Sequence, residues 1–442
     1  MKVAVVGLGY VGVSLSVVLA HSGYDVVGIQ RRSYRSGWKI DWVNKGRSPI
    51  KGEEPELAEL LFEAVESGKL RAVDNYQEIK DSDIVVIAVQ TPIKENREPD
   101  LIHLVNACIN VGKNLSRCSL VSIESTVPPG TTESVIKPIF EGYELKPGID
   151  FNLVYSYERV TPGHLIENLR TLPRVIGGLT TDCAIRGKGF YETFCMGNIF
   201  ITDTRTAETS KLVENSHRDM NIAFANETSQ ICSALGVDFY KVKEYVNALP
   251  NREGAGNPYR NILEPGAGVG GHCLPKDSHL LLHAFQNTKN GFKPQLIPTA
   301  RMINEAMPLH MHDMISEALS EAGKTIHESK IGVLGLSYKE DTGDPRNSPT
   351  IKLIELLDVP VIVHDPFIAD HTRVKPQPLV DTILGSDCLV VMTRHSEYRK
   401  LELECIASMM RTRVIVDGRN LFDPEECVRN GFIYRGIGHI RR

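Results

Sequence analysis

The sequence predicts an α/β protein with two Rossmann-like, doubly wound parallel-sheet domains joined by a long central helix. At 442 residues the chain exceeds the roughly 250–300 residues that a single hydrophobic core supports. Short β-branched apolar runs alternate with helical patterns in the N-terminal and C-terminal thirds, as they do in parallel sheets. Between these regions, residues 206–235 keep a helical period with few breakers. We therefore place three domains at residues 1–203, 204–322 and 323–442.

The predicted strands are short apolar runs that end at a glycine or a polar residue. A helical pattern through Ala20 separates the first two, and the spacing of the others fits right-handed crossovers between parallel strands. The N-terminal series spans residues 2–7, 25–29, 84–88 and 120–125. The C-terminal series, which predicts the second sheet, spans residues 331–335, 361–364, 388–392 and 414–417.

Composition and charge argue against several classes of function. The net charge is −5, with both signs interspersed, so nothing favours binding to nucleic acid or to an anionic membrane. No uninterrupted apolar segment approaches the ~20 residues that cross a bilayer. The nine cysteines are odd in number and include no C-x-x-C pair, which argues against a disulfide framework and a structural metal site. These features predict a soluble protein of the reducing cytoplasm.

A glycine-rich motif, GLGYVG at residues 7–12, follows the first strand and opens a helix. Gly7 permits a tight turn, Gly9 lets a pyrophosphate approach the backbone, and Gly12 lets the helix pack closely on the strand. The N-terminus of that helix offers N–H groups and a positive dipole end to the phosphates. A tight turn can need such glycines without any ligand, but the strand–helix context favours dinucleotide binding.

The second predicted strand leads to Gln30, where a dinucleotide-binding domain commonly has the acidic residue that holds the adenosine ribose. A glutamine can still form a hydrogen bond with a ribose hydroxyl. Arg31 and Arg32, which follow, can instead pair with a 2′-phosphate, or can form a solvated basic loop. The choice between NAD and NADP is open at this point.

Cys273 lies in a second glycine-rich segment, residues 264–277, where only His272 separates it from a glycine pair. A cysteine in this position can reach a substrate with little steric hindrance. Lys276, His272 or the N-terminus of a following helix can lower the pKa of its thiol and favour the nucleophilic thiolate. A small buried hydrophobic residue is the usual role of a cysteine. The segment alone does not decide between the two roles.

A polar stripe lies on the predicted central helix. At 100° per residue, four side chains fall within an arc of about 80°: Lys211, Asn215, Arg218 and Asn226. Amide and cationic groups on one helical face can polarise a sugar oxygen. A solvated polar face is the alternative, and Ile222 within the arc indicates that the face is partly covered.

Together these residues resemble the UDP-glucose/GDP-mannose dehydrogenase family, and the resemblance runs through nearly the whole chain. Each motif is weak alone, but so many in this order form a specific signal. Beyond the two glycine-rich segments, the motifs are residues 125–131 (STVPPGT), 157–163 (YERVTPG), Lys211 with Asn215, Asn226 with Glu227, 335–339 (GLSYK), 346–349 (RNSP), 364–366 (HDP) and 417–420 (DGRN).

The resemblance implies a two-step oxidation of a nucleotide sugar that consumes two molecules of NAD. A hydride leaves the C6 alcohol, and Cys273 traps the resulting aldehyde as a thiohemiacetal. A second hydride transfer gives a thioester, which water hydrolyses to the uronate. A thiolate must add to the carbonyl, and a cation must stabilise the developing oxyanion.

The same resemblance implies the other catalytic roles. Lys211 would stabilise the oxyanion, with Asn215 as its hydrogen-bonding neighbour. Asp277 would assist the water or tune Lys211. Glu158 and Thr126 would handle the proton and the water near C6.

Binding residues are also implied by the resemblance. The expected contacts to NAD are Gly7, Gly9, Tyr10, Val11, Gly12, Gln30, Arg31, Thr91, Thr126 and Lys276. The expected contacts to the substrate are Glu158, Arg159, Lys211, Asn215, Arg218, Arg260, Gly270, Lys339 and Arg346. Residues 323–442 would bind the UDP-sugar. The central helix would form the core of a homodimer, in which Arg260 would reach the neighbouring subunit's substrate.

Within the family, the sequence is most similar to the branch that acts on UDP-N-acetylhexosamines. His272 precedes the cysteine, and residues 214–227 and Arg260 resemble that branch. Two departures leave the sugar open: Pro-Lys-Asp at residues 275–277 is more usual in the glucose and mannose branches, and Tyr157 stands where proline is common. The expected substrate is UDP-N-acetylmannosamine, ahead of the glucosamine and galactosamine analogues and of UDP-glucose or GDP-mannose.

Two other classes of function fit part of the sequence. A single-hydride dehydrogenase of the β-hydroxyacid type shares the Rossmann unit and a helical middle, but has no use for Cys273 or a second α/β unit. A non-catalytic cofactor-sensing module would explain the first glycine motif and Gln30, but not Lys211, Cys273 and Asp277. The number of cofactor molecules reduced per sugar, namely two, one or none, separates the three classes.

Overall fold

The computed structural model describes residues 1–33, 36–50, 52, 54–248, 261–286, 288 and 291–440. The chain forms two compact units. The first consists of residues Met1–Glu214 and His279–Gly291, and the second of residues Asn215–Ser278 and Phe292–Arg442. The three domain boundaries expected from the sequence stay a prediction.

The first unit contains an eight-stranded sheet in the order β3-β2-β1-β4-β5-β6-β7-β8. Its strands are β1 Lys2–Val6, β2 Asp25–Ile29, β3 Leu70–Val73, β4 Ile84–Ile87, β5 Leu120–Ile123, β6 Asn152–Ser156, β7 Arg174–Gly178 and β8 Ile199–Asp203. All neighbouring strands are parallel except β6 and β7, which are antiparallel. The α/β class is confirmed. The sequence predicted a parallel sheet, however, whereas the β6–β7 pair of this sheet is antiparallel.

The antiparallel pair places a functional motif at one edge of the sheet. A chain that leaves β6 and returns as an antiparallel neighbour turns at the carboxyl end of β6, so no crossover is needed. The turn consists of residues 157–173, which include the YERVTPG motif. The sequence pattern did not identify β6, β7 or β8, so this topology could not be foreseen.

Helices cover both faces of the first sheet. They are α1 Tyr10–His21, α2 Trp38–Val43, α3 Leu57–Glu66, α4 Ile102–Gly112, α5 Lys137–Glu141, α6 Leu165–Thr171 and α7 Thr181–Tyr191. Alternation along β1 feeds two separate cores, with Val3 and Val5 in one and Ala4 and Val6 in the other. A strand buried on both faces is expected to be apolar, as residues 3–6 of this one are.

Four helices follow the first sheet: α8 Thr204–Ala234, α9 Phe239–Asn247, α10 Leu274–Gln286 and α11 Leu296–Glu321. The long central helix predicted at residues 206–235 is confirmed as α8 and begins two residues earlier. Its residues up to Glu214 belong to the first unit, and the rest belong to the second.

The second unit contains a five-stranded, fully parallel sheet in the order β10-β9-β11-β12-β13. Its strands are β9 Ile331–Leu334, β10 Val361–His364, β11 Cys388–Val391, β12 Val414–Asp417 and β13 Ile433–Gly436. Its later helices are α12 Pro349–Leu357, α13 Leu379–Ile383, α14 Leu403–Met409 and α15 Pro424–Arg429. The second predicted sheet is therefore confirmed. Within the described ranges, no helix is both long and apolar enough to cross a membrane.

A glycine directly follows the first strand of each sheet. The predicted strands include Gly7 and Gly335, whereas β1 and β9 end one residue earlier. Both glycines have a positive φ, 102° and 97°, which lies outside the β region. Each strand therefore turns sharply at its carboxyl end, and the following loop lies at the edge of the sheet where α/β proteins bind ligands.

Candidate active site

The three glycines of the first motif have different surroundings. A Cβ on Gly12 would lie 1.8 Å from the carbonyl oxygen of Gly7, and one on Gly7 would lie 2.5 Å from that of Ala88. In contrast, a Cβ on Gly9 would meet no atom of the described chain within 4 Å. Gly7 and Gly12 are thus required by packing, while Gly9 faces open space. The first turn of α1, which begins at Tyr10, contains no acidic residue, so its N–H groups suit a pyrophosphate.

Gln30 is turned toward the glycine motif. Its Oε1 accepts a hydrogen bond from the N–H of Leu8 at 2.9 Å. Lys39, which the sequence analysis missed, donates from Nζ to the carbonyl oxygen of Leu8 at 3.0 Å. Arg31 and Arg32 are both exposed, and Arg32 pairs with Asp74 at 3.2 Å. The basic loop is therefore partly compensated, and the ribose contacts expected of Gln30 and Arg31 stay predictions.

Thr91 and Thr126 meet at the carboxyl ends of β4 and β5. The hydroxyl of Thr91 donates to the carbonyl oxygen of Thr126 at 2.6 Å. The hydroxyl of the neighbouring Ser125 donates to the carbonyl oxygen of Val89 at 2.7 Å. Two of the residues expected around the cofactor are thus brought together by adjacent strands, although they are 35 positions apart.

Glu208 holds the loop that carries Thr126. This buried carboxylate accepts hydrogen bonds from the N–H of Gly130 at 2.5 Å and from the N–H and hydroxyl of Thr132 at 2.8 and 2.6 Å. Burial raises its pKa to about 7. Glu208 was not predicted from the sequence, although it falls within the same helical arc as Lys211, which is three residues later.

Lys211 and Glu158, both expected at the reacting carbon, lie side by side. The Nζ of buried Lys211 donates to the carbonyl oxygen of Glu158 at 2.8 Å and lies 3.9 Å from its Oε1. The other carboxylate oxygen of Glu158 accepts the N–H of Val160 at 2.6 Å. The ring centroid of Tyr157 lies 5.5 Å from the Lys211 Nζ. The ammonium group is thus held between a carboxylate and an aromatic face.

Arg159 ties its own loop to α8. Its guanidinium donates to one Glu214 oxygen at 2.8 and 2.7 Å, to the carbonyl oxygen of Pro173 at 2.6 Å and to the Tyr157 hydroxyl at 2.8 Å. These hydrogen bonds give Arg159 a structural role, because they hold its loop against α8. The substrate contact expected of Arg159 stays a prediction.

Cys273 lies at the N-terminal end of α10, where its carbonyl oxygen accepts the N–H groups of Lys276 at 3.0 Å and Asp277 at 2.9 Å. Six of the nine cysteines are buried and two are exposed, whereas Cys273 is half-buried. The thiol is thus partly accessible beside a helix N-terminus, which favours the thiolate.

The glycine pair before Cys273 is required by packing. A Cβ on Gly271, whose φ is 88°, would lie 2.8 Å from the ring of Tyr338. A Cβ on Gly270 would lie 2.6 Å from the Cβ of Tyr338. Access to the thiol is therefore not the only reason for these glycines, because the close approach of Tyr338 already requires them.

Asp277 is fully buried and paired at both oxygens. Oδ1 lies 2.6 Å from the Nζ of Lys276, and Oδ2 accepts the amide of Asn215 at 2.5 Å. His272 is half-buried, and burial, with a smaller effect from the charge of Lys276, lowers its pKa to about 4. His272 is therefore neutral at physiological pH, and it does not provide the cation beside Cys273 that the sequence allowed.

The polar stripe on α8 does not form one surface. Arg218 is exposed, whereas Asn226 is fully buried. The side chain of Asn226 accepts the N–H of Gly266 at 2.9 Å and donates to Asn304 at 2.8 Å. Arg260 lies outside the described residues.

Lys339 and Arg346 both follow β9. The Arg346 guanidinium forms a bidentate pair with Asp344, with Nε 2.8 Å from Oδ1 and Nη2 2.5 Å from Oδ2. Its carbonyl oxygen accepts the N–H of Gly271 at 2.9 Å, so this loop contacts the Cys273 segment. Lys339 is half-buried.

Asp365, at the carboxyl end of β10, organises the same loop. Its Oδ2 accepts the N–H groups of Leu336 at 2.7 Å and Ser337 at 2.8 Å. His395 lies 3.2 Å away through Nε2. Across the described part of the chain, no group of three or more His, Cys, Asp or Glu side chains could hold a metal ion.

Comparisons with known proteins confirm the resemblance found in the sequence. Models of the UDP-glucose/GDP-mannose dehydrogenase family match residues 1–195 as the NAD binding domain, 205–306 as the central domain and 332–424 as the UDP binding domain. The chain is 40% identical to a UDP-N-acetyl-D-mannosamine dehydrogenase of Pyrococcus horikoshii over 99% of each chain, and the two structures superpose with a TM-score of 0.90. It is 36% identical, with a TM-score of 0.87, to an NDP-N-acetyl-D-galactosaminuronic acid dehydrogenase of Methanosarcina mazei, covering 99% of this chain and 95% of that one. A UDP-N-acetyl-mannosamine dehydrogenase of Staphylococcus aureus is 33% identical, with a TM-score of 0.83 and coverage of 99% and 98%.

We expect Gly12→Ala and Gly9→Ala to have opposite effects. The added methyl group at position 12 would clash with Gly7, so the free energy of unfolding should fall by about 3 kcal/mol or more. At position 9 the methyl group meets open space, so stability should hold while NAD binds more weakly. Thermal unfolding and NAD titration measure the two effects. Equal loss of stability in both variants would contradict the assignment.

Gln30→Asp should lower kcat/KM for NADP while sparing NAD. A carboxylate at this position would repel a 2′-phosphate, and a tenfold loss corresponds to about 1.4 kcal/mol. Gln30→Leu is the matched control, since it removes the acceptor for the Leu8 N–H without adding charge and should affect both cofactors alike. Initial rates with each cofactor measure the ratio. An unchanged ratio in Gln30→Asp would mean that residue 30 does not face the ribose.

Proposed function

The chain belongs to the UDP-glucose/GDP-mannose dehydrogenase family, and we propose that it oxidises the C6 alcohol of UDP-N-acetylmannosamine to the uronate. As a member it is an NAD-dependent oxidoreductase that acts on a nucleotide sugar. The observation that carries the chemistry is the half-buried Cys273 at the N-terminus of α10, beside the buried Lys276–Asp277 pair. The choice of sugar is supported by the names of the similar proteins from Pyrococcus horikoshii and Staphylococcus aureus.

The reaction balances as one alcohol, one water and two oxidised cofactors giving one carboxylate, two reduced cofactors and three protons. NAD, when bound, accepts the hydride of each oxidation. The Cys273 thiolate adds to the carbonyl carbon of the aldehyde, and the new C–S bond gives a thiohemiacetal whose oxidation yields a thioester. Water then breaks that C–S bond, releases the carboxylate and restores the thiol.

Lys211 has the properties that the oxyanion requires. Its ammonium is almost fully buried, and a fixed positive charge in a site from which water is excluded stabilises an oxyanion strongly. Glu158, whose carboxylate lies beside Lys211, is assigned the proton of the C6 hydroxyl. Thr126 is assigned the water, because the Thr91 hydroxyl and the Glu208 carboxylate fix its loop.

Asp277 and Asn215 are assigned to the hydrolytic step. The carboxylate of Asp277 is fixed by the amide of Asn215 and the ammonium of Lys276, so it can orient a water molecule without moving. Lys276 is thereby engaged with Asp277, and its contact to NAD stays a prediction.

The UDP moiety is assigned to the loop that follows β9 in the second unit. This loop falls within the UDP binding domain of the family model. Lys339 and Arg346 supply its cations, and the backbone of Arg346 contacts the Cys273 segment through Gly271. The further substrate contacts proposed for Gly270, Arg159, Arg218 and Arg260 rest on the resemblance.

Purified protein tested against UDP- and GDP-sugars with NAD and NADP decides the substrate. We expect the highest kcat/KM with UDP-N-acetylmannosamine and NAD, with two cofactors reduced per sugar. The galactosamine analogue is the second candidate, because the Methanosarcina mazei protein is named for a galactosaminuronic acid. One reduced cofactor per sugar would point to a single-hydride dehydrogenase, and none to a cofactor-sensing module.

We also propose the reducing cytoplasm as the compartment. None of the nine cysteines, all of which lie in the described part of the chain, forms a disulfide. The proposed mechanism requires Cys273 as a thiol, which a reducing compartment preserves.

A homodimer through α8 is supported by an exposed apolar stripe on that helix. Val213, Phe224 and Ile231 are 49%, 52% and 50% exposed. At 100° per residue, their offsets of 11 and 18 positions place them within an arc of about 20°. An aligned apolar stripe on a long helix is typical of a surface that another helix covers.

Cys273→Ser should bind NAD normally but abolish net turnover. A serine alkoxide traps the aldehyde poorly, and its ester hydrolyses less readily than a thioester. Cys405→Ser is the matched control, since Cys405 is exposed on α14 and should be dispensable. Uronate formation by Cys273→Ser at the rate of the native protein would overturn the mechanism.

The double variant Phe224→Asp/Ile231→Asp should convert the dimer to a monomer in size-exclusion chromatography with light scattering. Charges on the stripe cannot be buried without a large penalty. Ile185→Asp, at an equally exposed apolar residue on α7, should leave the dimer intact. A dimer that persists in the double variant would contradict the assignment to α8.

A further inference from the structure

Four buried polar side chains connect α8 and α11 in the second unit, and we call them the loop clamp: Asp219, Asn226, Arg301 and Asn304. Each is at most 2% exposed. Arg301 donates from Nη1 to Asp219 at 2.7 Å, and Asn304 donates from Nδ2 to the same carboxylate oxygen at 2.9 Å. Asn226 completes the clamp by donating to the Asn304 Oδ1 at 2.8 Å.

The loop clamp reaches the cysteine segment at two points. The Asn226 Oδ1 accepts the N–H of Gly266 at 2.9 Å. The Arg301 Nη1 donates to the carbonyl oxygen of Leu274, the residue after Cys273, at 3.3 Å. Both ends of residues 266–274 are therefore bonded to the same buried network.

Stability alone does not explain the loop clamp. Within the described chain, the Asp219 Oδ2 and the Arg301 Nη2 are buried without a hydrogen-bond partner. A buried ion pair with unsatisfied atoms contributes little, and an apolar pair of similar volume is often as stable or more stable. The Asp219–Arg301 pair is incompletely hydrogen-bonded, yet the network to which it belongs contacts the cysteine segment at two points. This combination indicates a positioning role.

We propose that the loop clamp positions the Cys273 thiol for attack on the sugar aldehyde, and that Asp219, Asn226, Arg301 and Asn304 are positioning residues of the reaction. The proposal rests on the proposed function. Asn226 fixes the start of the segment and Arg301 fixes the peptide that follows Cys273, so the sulfur cannot shift with the loop. A displacement of about 1 Å at a reacting atom can cost about 100-fold in rate.

The test compares two clamp variants with a matched control. Asp219→Val/Arg301→Met removes both charges and nearly keeps the summed side-chain volume, and Asn226→Ala removes the acceptor for the Gly266 N–H. Asp387→Asn, at a buried carboxylate whose partners are Lys324, Lys330, Arg411 and Thr412, is the control. It should lower stability without affecting the segment at 266–274.

Three measurements separate positioning from stability: Tm, kcat with the sugar, and the rate at which iodoacetamide alkylates Cys273, read by mass spectrometry of its peptide. In both clamp variants we expect kcat to fall on the order of 10- to 100-fold and the alkylation rate to change, with KM for NAD unchanged. In the double variant Tm should hold or rise. The control should lose Tm but keep kcat and alkylation at native values.

Native kcat and alkylation rates in both clamp variants would overturn the proposal. If the double variant does not fold, Asn226→Ala decides alone. A fall in kcat that tracks the loss of Tm, with the alkylation rate of Cys273 unchanged, would also overturn the proposal. That pattern would indicate a merely structural role. Alkylation needs no sugar, so an altered rate in a protein that oxidises no UDP-sugar would keep the loop clamp and reject the proposed function.

Discussion

The buried carboxylate of Asp277 is the constraint on which the cysteine site depends. A fully buried carboxylate such as Asp277 carries a large free-energy cost unless its charge is paired and its oxygens accept hydrogen bonds. Lys276 compensates one and Asn215 the other, so the first turn of α10 is fixed against α8. Since α10 begins immediately after Cys273, the position of the thiol follows from the pairing of a carboxylate that is four residues away. The loop clamp adds a second restraint on the same segment through bonds to its backbone.

Both sheets use the same device to shape the loop after their first strand. In the first unit, Gln30 at the end of β2 accepts the N–H of Leu8, which follows Gly7. In the second, Asp365 at the end of β10 accepts the N–H of Leu336, which follows Gly335. In each case the neighbouring strand supplies an acceptor to the N–H next to a left-handed glycine. Gln30 therefore has a structural role in shaping the glycine loop, in addition to the ribose contact expected of it.

The sequence predicted those parts of the fold whose signal is local. Strands at 25–29, 361–364 and 414–417 have the observed bounds because each is a short, bounded apolar run. The strand at 70–73, which alternates more and less buried residues over only two periods, was missed. So was the antiparallel return of β7, because pairing direction depends on contacts between distant segments. Motif residues such as Lys211 and Cys273 could be named, whereas Glu208 and Asn304 could not, since their partners lie more than 70 positions away.

The structure also narrows how the Cys273 thiolate is stabilised. The sequence offers Lys276, His272 and a helix N-terminus as sources of positive potential. Burial keeps His272 neutral, and the charge of Lys276 is shared with the carboxylate of Asp277 at 2.6 Å. The positive end of the α10 dipole, which lies at Cys273, is the source that neither burial nor a salt bridge removes. A helix terminus acts only over its first turn, so the fixed placement of Cys273 at that terminus is itself part of the chemistry.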